Sequence, residues 1–197
     1  MENRKVIRTF VAVCLDAEVR GRISAVAERA KKLAPNVKWV APDNFHVTLK
    51  FLGGVSAGRV ARVQDALDEI AREFTAFDLS LSGLGVFPTP RRPRVIWVGV
   101  EEGREQLVAL AKAVEDRLVR AGFEKEDKPF RSHITIGRVR EGKPVEGLVE
   151  GLAEIDTGNL GVQRIDSITV MESTLRPGGS EYTPLSVHKL GEWRKQG

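Results

Sequence analysis

The chain is short of cysteine, short of histidine and free of long apolar runs, and each shortage removes a class of function. Cys14 is the single cysteine in 197 residues, which excludes an intrachain disulfide and a thiolate metal cluster. It lies in Thr9-Phe10-Val11-Ala12-Val13-Cys14-Leu15, which reads as a core strand, so a buried and inert thiol is expected. No stretch approaches the roughly 18–20 apolar residues of a membrane span, and no membrane association is expected. Val6–Leu15 is interrupted by Arg8 and followed by no small-residue cleavage site. It reads as a first strand rather than a signal peptide, and a cytoplasmic setting is the expectation. With three histidines, no HExxH pattern and no carboxylate-rich spacing, neither a metal nor a cofactor is expected. The net charge of +4 fits an anionic partner without requiring one.

Four segments carry apolar residues at helical spacing. They are Val19, Ile23, Val26, Ala30 and Leu33 behind an Asp16 N-cap, and Val60, Val63, Leu67, Ile70 and Phe74 after Ser56. A third uses Leu107, Leu110, Val114 and Leu118 and stops before Gly122. The fourth uses Val145, Leu148, Val149 and Leu152, with Pro144 in its first turn. Between them, β-branched and aromatic runs predict strands near 6–15, 37–40, 46–51, 77–86, 95–100, 132–139, 160–163, 167–175 and 183–189. Phe77–Val86 and Val95–Val100 read as an antiparallel pair joined through Pro88–Pro93. Both halves mix strands with helices and no linker divides them. The expectation is an α+β fold, one domain over 1–197. It should have two similar lobes of mainly antiparallel sheet, helices outside and a central cleft.

One pattern repeats. His46-Val47-Thr48-Leu49 and His133-Ile134-Thr135-Ile136 both read His, apolar, Thr, apolar, and lie 87 residues apart, one in each half. Strand side chains alternate faces, so His and Thr share one face while the apolar pair enters the core. Two such strands brought together aim two imidazoles and two hydroxyls at one spot. An imidazole has an ordinary pKa of about 6.5, so one can be neutral while the other is protonated. That pair supplies a general base and a general acid on opposite sides of a phosphorus atom. The hydroxyls of Thr48 and Thr135 can donate to the non-bridging oxygens. A 2′,3′-cyclic phosphate would then need no enzyme nucleophile. His188 falls outside the pattern and reads as a surface strand residue. Gly137–Lys143 matches the first seven positions of a P-loop, but Pro144 replaces the hydroxyl that holds magnesium, so ATP binding is not expected.

The two motifs resemble those of the two-histidine phosphoesterase superfamily, and within it the RNA 2′,3′-cyclic phosphodiesterases, also called 2′-5′ RNA ligases. The similarity extends from Arg8-Thr9-Phe10-Val11-Ala12 through Phe45–Gly53, Gly85-Val86-Phe87-Pro88 and Arg92–Gly99. It continues through Pro129–Arg138 and Ser173–Tyr182. The resemblance implies a bilobal, pseudo-twofold fold with the active site between the lobes. It implies that His46 protonates the leaving 3′ oxygen, that His133 activates water, and that the product keeps a 2′-phosphate. It also implies that the step can run backwards, joining a cyclic-phosphate end to a 5′-hydroxyl without ATP. Ser132 stands where the family commonly has Pro, which removes a rigid φ but no catalytic group.

The resemblance further places Phe51 against a base and Arg138 against phosphate, each five residues after its His. Strict alternation turns that position away from the His face. A bulge or strand end is required, and Gly137 can supply one; without it Phe51 is core and Arg138 an ordinary surface charge. Arg131 and Tyr182 complete the expected substrate-binding set, with Gly178-Gly179 before Tyr182 read as a tight turn. Lys50, Arg91, Arg92, Arg94, Lys128 and Arg140 join Arg131 in an expected basic rim for RNA. The expected partners are RNA ends or small cyclic nucleotides, met by a monomer. Two other readings stay open: an enzyme for another cyclic or 2′-5′-linked nucleotide, and an RNA-end-binding module without turnover.

Overall fold

Helices form where the apolar spacing places them. In the computed structural model, which describes residues 6–34, 36–140, 147–177 and 179–192, helix α1 (Ala17–Lys31) starts behind Asp16. The Asp16 carboxylate accepts the Val19 N–H at 2.8 Å. Val19, Ile23, Val26 and Ala30 are buried as predicted, but the helix ends at Lys31 and Leu33 is left exposed against Gly151. Helix α2 (Ala57–Glu73) buries Val60, Val63, Leu67 and Ile70; Ser56 precedes it without a side-chain capping bond. Helix α3 (Arg104–Arg120) buries Leu107, Leu110, Val114 and Leu118. It follows Gly103 at φ +72°, where a Cβ would stand 2.1 Å from the Asp78 carbonyl oxygen, so only glycine fits. The short α4 (Leu148–Ala153) buries Leu148 and Leu152, while Pro144 and Val145 lie outside the described residues.

The strands follow the predicted order: β1 (Val6–Cys14), β2 (Val37–Trp39), β3 (His46–Ser56), β4 (Phe77–Thr89), β5 (Arg92–Val100), β6 (His133–Val139), β7 (Val162–Ile165), β8 (Ser167–Arg176) and β9 (Gly179–Lys189). β4 and β5 are longer than expected and their hairpin closes on Pro90-Arg91, a tighter turn than Pro88–Pro93. Two antiparallel sheets result, in the orders β3-β1-β8-β9 and β2-β6-β5-β4-β7.

The lobes are therefore not consecutive halves of the chain. β2 belongs to the first half but edges the second sheet, and β8 and β9 return to complete the first. The helices cross over as well. α3 leaves β5 of the second sheet and packs on β3 of the first, beside α2. α1 leaves β1 of the first sheet and packs by β2 of the second, where the Asp16 N–H donates to Gln163 of β7 at 2.8 Å. α4 packs on β4. One contiguous apolar core runs beneath both sheets. No described helix is long and apolar enough to cross a membrane.

Candidate active site

β3 edges the first sheet, β6 lies second in the other, and the two pack against each other. In each, alternation works as the motif requires. Val47, Leu49, Ile134 and Ile136 are buried in the core, and His46, Thr48, His133 and Thr135 lie on the opposite face, half-buried. Each motif strand then slips by one residue at the same place. Ala12 pairs with Thr48 but Val11 with Lys50, so Leu49 is bulged and Phe51 comes opposite Phe10. Trp97 pairs with Thr135 but Ile96 with Gly137, so Ile136 is bulged and Arg138 comes opposite Val95. Two residues facing one is a β-bulge, and it returns the fifth position to the His face. Phe51 is accordingly 59% exposed rather than core, and Arg138, exposed on the His133 face, lies near enough to disfavour charge on both imidazoles.

The two rings are held alike. His46 Nδ1 lies 2.7 Å from the Asn44 carbonyl oxygen, and His133 Nδ1 lies 2.6 Å from that of Arg131. A carbonyl only accepts, so each Nδ1 carries the hydrogen and each Nε2 is left with its lone pair. At His46 that lone pair accepts from the Thr48 hydroxyl at 2.9 Å. Burial pushes the His46 pKa down to about 4; the Asn44 carbonyl opposes this, and the charges of Arg138 and His133 add to it. Burial lowers His133 too, against its bond to the Arg131 carbonyl and with Arg138 adding. Both imidazoles are therefore neutral at pH 7.

Aromatic rings wall each imidazole. Phe10 stands 4.9 Å from His46 and 5.0 Å from Tyr182, and Tyr182 meets His46 edge-on at 5.3 Å. On the other side Phe87 meets His133 edge-on at 5.0 Å, with the Arg131 guanidinium 5.3 Å over the Phe87 ring. Tyr182 and Arg131 are thus brought to the site, Tyr182 by β9 and Arg131 by the segment entering β6.

Several expectations are corrected. Lys50 is not on a basic rim: the bulge turns it inward, 2% exposed, with Nζ 2.5 Å from Glu115 of α3 and 2.7 Å from the Glu124 carbonyl oxygen. His188 is not a surface residue but 6% exposed, Nδ1 2.6 Å from Asp68 of α2 and Nε2 2.8 Å from the Ser186 hydroxyl, tying β9 to the helix. Cys14 is not in the core. It ends β1 exposed, opposite His46, one residue past Phe10–Val13, which are buried on both faces of the strand. Packing around its sulfur raises the thiol pKa, so it is a poor thiolate. The P-loop-like run begins inside β6, at the bulge; its residues 141–143 lie outside the described residues, as does Gly178.

Sequence reasoning missed Asn44, whose amide donates to the Ser180 carbonyl of β9 at 2.7 Å and so anchors the turn that holds His46. It also missed Lys38, which pairs directly with Arg138. Trp97 lies opposite Thr135 with its ring on Gly85, where a Cβ would stand 2.2 Å away, and its Nε1–H is buried without a partner among the described residues. The repeated His signal marked the strands but not their neighbours. Among the described residues, no three His, Cys, Asp or Glu side chains gather as metal ligands.

The arrangement has known counterparts. The family model for LigT-like phosphoesterases matches twice, over residues 13–97 and again over 98–182, one match around each His motif. An RNA 2′,3′-cyclic phosphodiesterase of Aquifex aeolicus is 37% identical over 191 residues, covering 95% of this chain and 99% of its own. One of Methanothermobacter thermautotrophicus is 34% identical over 184 residues, covering 93% and 99%. A crystal structure of Escherichia coli LigT complexed with 3′-AMP superposes with a TM-score of 0.76 at 30% identity, over 95% of this chain and 99% of that one.

Proposed function

Because this chain belongs to the LigT-like phosphoesterase family, we propose that it hydrolyses RNA 2′,3′-cyclic phosphate ends to 2′-phosphomonoesters. His46 and His133 act as general acid and general base. The observation that carries this reading is the matched tautomer: both rings spend Nδ1–H on a backbone carbonyl and present Nε2 to the same cleft.

The roles of acid and base follow the family resemblance. His133 Nε2 takes a proton from water as the water oxygen bonds to phosphorus. The bond from phosphorus to the 3′ oxygen breaks, and His46 Nε2–H gives that oxygen its proton. The phosphate stays on the 2′ oxygen. Thr48 and Thr135 donate to the non-bridging oxygens. A proton on His46 Nε2 removes the acceptor that Thr48 uses while that ring is neutral, which frees the hydroxyl hydrogen for phosphate. A phosphodiester anion beside Arg138 offsets one of the charges that keep His46 neutral, so the substrate itself favours the acid form. Phe51 stacks on the terminal base and Arg138 pairs with phosphate. A 5′-hydroxyl in the place of water would give a 2′-5′ link without ATP. The proposed reaction uses no metal or cofactor, and one chain supplies both halves of the site, so a monomer suffices.

The test is an oligoribonucleotide ending in a 2′,3′-cyclic phosphate, incubated with EDTA and without ATP. The expected product is a terminal 2′-phosphate that is lost in His46→Ala. An unchanged substrate overturns the proposal.

A further inference from the structure

β2 contributes three residues to the second sheet, and its middle residue carries more than packing. Lys38 lies directly opposite Arg138 in the antiparallel pair of β2 and β6. Directly opposed residues share a face, with Cβ atoms about 4.5–5.5 Å apart. Arg138 has been turned to the His133 face of its sheet by the bulge, so Lys38 is on that face too. Val37 and Trp39 take the other face, where a Cβ on Gly137 would stand 2.8 Å from Val37 Cγ1 and 3.2 Å from Trp39 Cε3. Both cations are exposed, and neither meets a carboxylate among the described residues. Like charges directly opposed destabilise a sheet, which an anion laid across both would reverse.

The position selects which anion. Arg138 follows Thr135 by two pairing rungs, about 6–7 Å along the strand, and Lys38 is a further strand away, about 5 Å. That puts Lys38 beyond the reach of a phosphate held between Thr48 and Thr135, so the anion it meets is a second one on the same chain. The first residue of β9, in the other sheet, bounds the place, since a methyl group added at Gly179 would stand 4.0 Å from Lys38 Cε. We propose that Lys38, with Arg138, forms a subsite for the phosphodiester one nucleotide upstream of the reacting end. The substrate class is then oligoribonucleotide ends rather than cyclic mononucleotides. The subsite rests on the proposed phosphodiesterase reading and refines it.

Two measurements test it separately from that reading. In turnover, a trinucleotide ending in a 2′,3′-cyclic phosphate is compared with the cyclic mononucleotide. Lys38→Ala is expected to lose about tenfold more kcat/KM on the trinucleotide. In binding, which needs no turnover, the trinucleotide 2′-phosphate is compared with the mononucleotide 2′-phosphate across a salt series. Wild type is expected to prefer the trinucleotide, and Lys38→Ala to lose that preference and flatten the slope of log Kd against log salt by about 0.7, one phosphate contact. Wild type binding both equally, or Lys38→Ala keeping the preference, overturns the subsite. A preserved binding difference without hydrolysis of either substrate upholds the subsite and overturns the hydrolytic reading instead.

Discussion

β3 and β6 share a backbone and differ in what they hang on it. Both hold a His ring by a carbonyl two residues upstream, both bulge three residues after the His, and both return the fifth residue to the cleft. At the fourth position β3 has a buried lysine ion-paired to α3, where β6 has a glycine pressed against Val37. At the fifth, β3 offers an exposed ring and β6 a guanidinium. The repeated backbone sets the two imidazoles; under the proposed function the unlike side chains would divide the substrate into a base side and a phosphate side. Around His46 the rings of Phe10 and Tyr182 contribute to the burial that pushes its pKa down to about 4.

The largest effect should come from the histidines, and it should break their likeness. His46→Ala and His133→Ala are each expected to lose about 10²–10⁴-fold in kcat/KM. A substrate with a leaving group of low pKa should rescue His46→Ala and leave His133→Ala slow, because only the acid becomes dispensable. Equal rescue of both would sink the division of roles. Next comes the fourth position. Lys50→Met leaves Glu115 facing a buried apolar stem and should cost about 3 kcal/mol, read as a fall of about 6–12 °C in Tm. Lys50→Met with Glu115→Leu should regain most of it, and a double variant no better than the single would refute the ion pair's role. The smallest effect is the most diagnostic. In the free enzyme the acid form of His46 is lost as pH rises through about 4, and the base form of His133 appears as pH rises through a value below 6.5. The kcat/KM profile should therefore be a bell centred below pH 6.5. Arg138 lowers both rings, so Arg138→Met should move both limbs to higher pH, and limbs that stay put would remove its charge from the site's electrostatics.

Element order and type were legible because apolar period, glycine stops and β-branched runs agree locally; Val19 to Ala30 and Leu107 to Leu118 needed nothing else. The need for a bulge before Phe51 and Arg138 was legible as well, from the mismatch between a five-residue offset and a two-residue period. What was not legible lies across the sheets. The same bulge turns Lys50 beneath the strand, but nothing local to it names its partner Glu115, 65 residues on. His188 carries no local sign of Asp68, 120 residues away. Lys38 and Cys14 were missed or misplaced because their roles depend on which strand lies beside them. The same holds for the lobes, since local pattern gives elements in order but not the sheet each one joins.

Four connections carry the chain from one sheet to the other: β1 to β2, β2 to β3, β3 to β4, and β7 to β8. A molecule whose two parts are joined by a single strap can swing open, as a book does on its spine. Here a swing would have to bend four straps at once and pull α1 and α3 off the sheets they cover. The distance between the two imidazoles is therefore built in during folding. If the proposed substrate binds, it meets jaws already set, and the free energy of its binding goes to protonation and alignment rather than to closure.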